Sequence, residues 1–211
     1  MKRSYSLLVA LAVVGIAGCA NLDRSRDLAN PNVSGDVLAV QVCSICHGVD
    51  GNSVSPQFPR LAQQQKEYLV AQLKNFRSHH RSDPGGSEYM WGISRDLTDK
   101  QIDELADYFS KQKMAPNAPV DSGLAAAGKD VFENGIPAQK VIACQSCHGP
   151  KAQGIGAFPR LANQHADYIV KQLDVFQNTQ QRPGTPMEFV VHPLTGSNKE
   201  AVAAYLQGFP G

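Results

Sequence analysis

The chain has 211 residues, of which 42% are hydrophobic, 18% charged and 7% aromatic, with a formal net charge of +1. That balance excludes a polybasic nucleic-acid surface, a long charged tail and a coiled coil. Five cysteines are too few for a disulfide-dense secreted scaffold, and their odd number needs a reason.

Lys2 and Arg3 precede an apolar run of eleven residues, Leu7 to Ala17. As a helix this run would rise about 16 Å, against about 30 Å for a hydrocarbon core, so residues 1–18 are expected to be a signal peptide rather than a span. Its end, Ile16-Ala17-Gly18-Cys19, resembles the lipobox of bacterial lipoproteins, in which the cysteine becomes the lipidated first residue. The alternative is an ordinary signal with a chance cysteine. Acyl chains on Cys19 would anchor the protein to a membrane; by the same resemblance, Ala20 in place of Asp favours the outer over the inner membrane. Residues 19–33 then read as a tether. Loss of residues 1–18 leaves 18 basic and 19 acidic side chains, a near-neutral protein.

The other four cysteines fall in two copies of one pattern, Cys43-Ser44-Ile45-Cys46-His47-Gly48 and Cys144-Gln145-Ser146-Cys147-His148-Gly149. Cys-x-x-Cys-His is the attachment signature of c-type haem, in which two thiols bond the vinyl groups and the adjacent imidazole binds iron. One helical turn sets both sulfurs along one edge and swings the histidine toward the metal. A structural zinc held by both pairs and a thioredoxin-like dithiol are the competing readings, but neither requires a histidine after the second cysteine. Two covalent haem c groups are expected, and no other cofactor is implied.

The repeat extends well past these motifs. Phe58-Pro59-Arg60-Leu61-Ala62 returns as Phe158-Pro159-Arg160-Leu161-Ala162, and Tyr68, Leu73 and Phe76 return as Tyr168, Leu173 and Phe176, all at an offset of 100. Each copy reads as about three helices with no strand. Ser34 is placed to cap a helix running into Cys43, and its counterpart runs from near Ser122 to about Glu133. Tyr68, Leu69, Leu73 and Phe76 form a stripe at helical spacing. Thr98-x-x-Gln101 and Ser197-x-x-Glu200 read as capping boxes of the last helix in each copy. The expected boundaries are 34–115 for the first domain, 116–121 for a proline-containing linker and 122–211 for the second domain. So short a linker predicts two halves packed face to face.

The sixth iron ligand is sought among few methionines. Met90 and Met187 follow their histidines by 43 and 39 residues, in matching loops between the second and third predicted helices, whereas Met114 has no partner in the second copy. A thioether opposite histidine favours ferrous iron and a high potential. His47, Met90, His148 and Met187 are therefore the expected axial ligands. The rivals His79, His80 and His192 lack counterparts in the other copy.

The paired motifs, both followed by Phe-Pro-Arg-Leu-Ala, then Tyr, Gln-Leu, Phe, a methionine and a terminal helix, resemble the dihaem cytochrome c4 family. The resemblance spans roughly residues 35–209. It implies an all-α fold of two tandem class I cytochrome c domains related by a pseudo-two-fold axis. It also implies that the Pro59 and Pro159 carbonyls hold the histidines; Arg60 and Arg160 are themselves suited to charge-assisted hydrogen bonds with haem propionates, a solvated arginine being the alternative. The implied role is electron transfer in the bacterial periplasm toward a terminal oxidase, with a quinol-oxidising complex or a dehydrogenase as donor. Each copy owns a methionine and little chain is left to build a substrate pocket, so no catalytic residue and no enzyme activity are expected. The alternative is the haem subunit of a dehydrogenase complex or a small dihaem enzyme.

Overall fold

The computed structural model describes residues 25–116, 119–178 and 181–209. The expected signal peptide, Cys19 and residues 19–24 of the tether lie outside the described residues. Among the described residues the fold is helical, with two isolated β-bridges and no sheet. No described helix is long and apolar enough to cross a membrane.

The first half opens with α1 (Gly35–Leu38), which passes through a π-helical turn (Ala39–Cys43) into α2 (Ser44–His47). Ser34 stands at the N-cap but makes no side-chain cap; Gly35 N–H donates to Glu104 Oε2 at 2.7 Å instead. Then come α3 (Lys66–Arg77), α4 (Ser87–Ser94) and α5 (Asp99–Ser110). Thr98 and Gln101 form the expected capping box, and Ile102, Leu105, Ala106 and Phe109 give α5 a buried face. That face meets Leu38, Leu69 and Leu97 in the first core.

The second half repeats the plan with α6 (Ser122–Asn134), a 3₁₀ turn (Pro137–Gln139), α7 (Gln145–His148), α8 (Ala166–Asn178), α9 (Met187–Val191) and α10 (Gly196–Gly208). α6 begins at Ser122 as expected, and Asp121 caps it by accepting from Leu124 N–H at 2.7 Å. The capping box of α10 lies two residues before the expected Ser197/Glu200 pair: Thr195 and Asn198 form it. Asn at the third helical position satisfies the same donor as the more usual Glu or Gln. Phe132, Leu206, Val202 and Ile169 lie in the second core.

First and last helices of each half cross at a glycine. A Cβ on Gly35 would stand 2.5 Å from Glu104 Cβ, and one on Gly128 would stand 1.9 Å from the Ala201 carbonyl oxygen. Only a hydrogen at those positions lets the backbones approach so closely.

The halves pack face to face through reciprocal bonds. Arg60 N–H donates to Gln164 Oε1 (2.8 Å) and Gln164 Nε2–H donates back to the Arg60 carbonyl (3.0 Å). Arg160 and Gln64 repeat the pair at 2.7 and 3.0 Å. Such an exchange is the signature of a two-fold relation between the halves, a surface pairing with its own image.

Candidate haem sites

α2 carries Cys43 at its N-cap, Cys46 within it and His47 at its end; α7 carries Cys144, Cys147 and His148 in the same way. Gly48 and Gly149 then adopt φ of +79°, a left-handed turn that stops both helices at the histidine. All four thiols are free and half-buried. Burial pushes the Cys43 thiol up to about 12 and the Cys144 thiol up to about 11. A redox dithiol needs a thiol lowered toward thiolate, so this setting is the opposite of a thioredoxin-type centre. Among the described residues no three His, Cys, Asp or Glu side chains cluster as a metal site.

His47 and His148 are buried, at 7% and 6% exposure. The Nδ1–H of His47 donates to the Pro59 carbonyl at 2.9 Å, and that of His148 donates to the Pro159 carbonyl at 2.9 Å. A carbonyl only accepts, so Nδ1 must carry the proton and Nε2 keeps its lone pair. Burial lowers both imidazoles below the ordinary value, outweighing the proline carbonyls, and holds them in the neutral form that ligates metal. Phe58 and Phe158 meet the same rings edge-on, at 6.2 and 6.3 Å between centroids.

Arg60 and Arg160 sit next to these prolines in the interface. Arg160 donates from Nη2 to the Ala62 carbonyl at 2.7 Å and from Nη1 to the Ala162 carbonyl; Arg60 donates from Nη1 to Asn163. The Nε of each is buried with no hydrogen-bond partner. Burial and the neighbouring Arg60 charge pull Arg160 down to about 10, so it stays protonated at neutral pH. A buried and a half-buried guanidinium, each with a buried spare Nε–H, need an acceptor, and carboxylates suit them best. Free thiols, neutral imidazoles with an open Nε2 and these orphaned donors together fit a c-type haem in each half.

Met90 and Met187 are half-buried, and both lie in short helices rather than in the loops expected from the sequence: Met90 within α4, Met187 as the first residue of α9. Met187 packs against the second core. His79, His80 and His192 are exposed, and His79 stacks on Trp91 with ring centroids 4.7 Å apart.

Three groups of interface residues carry no motif signal. His165 is buried against Ser53 of the other half. Gln64 and Gln164 exchange backbone bonds across the interface, and Arg81 and Arg182 meet Gln72, Gln172, Tyr68 and Tyr168. The glutamines, arginines and tyrosines recur at offsets of 100 or 101, whereas His165 stands opposite Gln65 and has no counterpart.

The chain matches the Cytochrome c family over residues 33–113 and 125–209. It is 37% identical over 207 residues to cytochrome c-552 of Acidithiobacillus ferridurans, covering 97% of this chain and 87% of that protein. It is 35% identical over 180 residues to a thiosulfate dehydrogenase electron acceptor of Thiomonas intermedia, covering 80% of this chain and 78% of that one. The crystal structure of reduced recombinant cytochrome c4 from Pseudomonas stutzeri superposes with a TM-score of 0.75 at 36% identity, over 83% of this chain and 97% of that chain. Two matched domains, two complete Cys-x-x-Cys-His sites and the likeness to a cytochrome c4 structure over nearly its whole length lead to one assignment: the chain belongs to the cytochrome c4 family, as a dihaem c-type electron carrier of two tandem cytochrome c domains.

Proposed function

We propose that this carrier works in the periplasm, passing single electrons from a quinol-oxidising complex or dehydrogenase toward a terminal oxidase. Cys43 and Cys46 would bond one haem and Cys144 and Cys147 the other, with His47/Met90 and His148/Met187 as axial pairs. The bound haem supplies reversible one-electron iron chemistry. Around it the chain's residues orient and neutralise: Pro59 and Pro159 fix the imidazole rings and raise their basicity, and the orphaned Nε–H groups of Arg60 and Arg160 would meet propionate carboxylates. The domains would run over 34–115 and 122–211, joined by 116–121.

One observation carries this reading: both Pro–His bonds belong to segments tied across a single interface by the Arg60–Gln164 and Arg160–Gln64 exchange. Two centres anchored in one rigid interface suit transfer between them. A second reading for the donor is supported by the likeness to a thiosulfate dehydrogenase electron acceptor, which favours a dehydrogenase of that kind over a quinol-oxidising complex.

Cys19 would hold the mature protein to a membrane, the outer one by its following Ala20, with residues 1–18 removed as a signal peptide. Replacing Cys19 by Ser should release red, redox-active protein; its retention in the membrane would refute the anchor.

The test of the haem chemistry is an oxidised optical spectrum combined with the intact mass of matured protein. Two covalent haems, low-spin iron and the weak far-red sulfur-to-iron band are expected. Absence of that band, or high-spin iron, would overturn the methionine ligands.

A further inference from the structure

At the interface, Arg81 and Arg182 are two-fold images. Each guanidinium stacks over a phenylalanine of its own half, Arg81 at 4.4 Å from the Phe76 ring and Arg182 at 4.7 Å from Phe176. Each also reaches across. Arg81 donates to Gln72 Oε1 (2.9 Å), Gln172 Oε1 (3.2 Å) and the Tyr168 hydroxyl (3.2 Å). Arg182 donates to Gln72 Oε1 (2.8 Å), to Gln172 Oε1 and to the Tyr68 hydroxyl (3.3 Å). The two-fold exchanges these residues in pairs, so their charges and dipoles act alike on both haem sites.

Asp83 breaks that balance. Its carboxylate accepts from Arg81 Nε–H (2.6 Å) and Nη2–H (3.2 Å) and from Gln172 Nε2–H (3.2 Å), and it is 3% exposed. The second half has no equivalent. Arg81-Ser82-Asp83-Pro84-Gly85 is matched there by Arg182-Pro183-Gly184, in which Ser82 and Asp83 have no counterpart. Gly85 and Gly184 both turn left-handed, at φ +70° and +78°, which sets the register of that match. One arginine is therefore neutralised and the other has no carboxylate among the described ion pairs. A buried charge acts through a low effective dielectric, and a charge without an image is felt unequally by two symmetric sites.

We propose that Asp83 sets the two haem sites at unequal reduction potentials, and so gives electron flow through the carrier a direction. A fixed negative charge favours the oxidised, more positive iron, most strongly at the site it is nearer to. The inference rests on the dihaem assignment and is independent of which residues ligate the irons.

The experiment is a spectroelectrochemical titration of the matured dihaem protein, with urea unfolding alongside. Asp83→Asn keeps the shape and an acceptor oxygen. It should raise both midpoints by unequal amounts, by about threefold to tenfold in the redox equilibrium of the more affected haem, tenfold being about 59 mV for one electron. Asp83→Glu keeps the charge and should leave the gap between the midpoints close to that of the natural protein. Arg182→Gln removes the guanidinium that has no carboxylate partner. It should lower both midpoints yet move the gap in the same direction as Asp83→Asn, because either change restores symmetry. A lowered unfolding midpoint with an unchanged gap would mark Asp83 as structural only and overturn the proposal, as would equal shifts of both haems. Should Asp83→Asn fail to fold, Arg182→Gln decides alone, and an unchanged gap there is equally fatal.

Discussion

His165 donates its Nε2–H to the Ser53 carbonyl across the interface at 2.9 Å. The image of this bond is made by a different residue type: Gln65 Nε2–H donates to the Gln153 carbonyl at 2.7 Å. The two halves thus share one backbone contact but supply it with one titratable and one non-titratable donor. Ser53 Oγ lies 3.1 Å from the same imidazole nitrogen and donates onward to the Phe58 carbonyl at 2.6 Å, next to the residues that hold His47.

Acid should loosen this interface from the His165 side alone. Burial lowers its proton affinity below the ordinary 6.5, outweighing the Ser53 carbonyl, while the Arg60 charge lowers it further and Asp167 raises it. The unfolded chain therefore binds more protons than the folded one below about pH 6.5, so the stability is fully present above that value and is lost as pH falls. One group contributes a slope of at most about 1.4 kcal/mol per pH unit. His165→Gln, which copies Gln65, should flatten the acid limb of urea-unfolding stability between about pH 7 and 5. Identical acid limbs in both proteins would remove His165 from the account.

The crossing of α6 and α10 makes a second, purely steric prediction. A methyl group at Gly128 would stand 1.9 Å from the Ala201 carbonyl oxygen and 2.9 Å from Tyr205 Cβ, so backbone must move. Gly128→Ala should destabilise the protein by about 1–3 kcal/mol, the usual cost of overpacking. Gly196, the first residue of α10, has nothing within 4 Å of its would-be Cβ. Gly196→Ala is the control and should leave the thermal midpoint unchanged or slightly raised. Equal effects of the two would mean that the α6–α10 approach is not tight.

The repeat carried much of the architecture in plain sight, because doubled residues such as Phe58/Phe158 and Tyr68/Tyr168 mark doubled structure. Local signals with one mechanism were legible too: Thr98 and Gln101 cap α5 as their spacing says. The α10 cap was misplaced because Asn198 does the work of the expected glutamate, and Ser197-x-x-Glu200 offers the commoner pattern two residues late. The methionine segments read as loops because Pro183, Gly184 and Pro186 mask a helix as short as α9. The cross-interface set was illegible for a different reason. Arg182 and Tyr68 are 114 residues apart, and no local pattern says that an arginine in one half will find a tyrosine in the other.

The methionines supply the last prediction. Met90 and Met187 occupy corresponding short helices, α4 between α3 and α5 and α9 between α8 and α10. If each sulfur ligates its own iron, the two sites are chemically separable by single substitution. A thioether stabilises ferrous iron, and an imidazole in its place favours the ferric state and lowers the potential. Met90→His should move one step of the redox titration strongly downward, leave the other only slightly shifted, and remove about half of the far-red band. Met187→His should do the same to the other step. The slight shift expected at the untouched haem is the coupling through the Arg60–Gln164 and Arg160–Gln64 interface, so it should appear in both variants. If either substitution left both steps and the full band in place, that methionine would not be the ligand, and an exposed histidine such as His79 or His192 would become the residue to replace next.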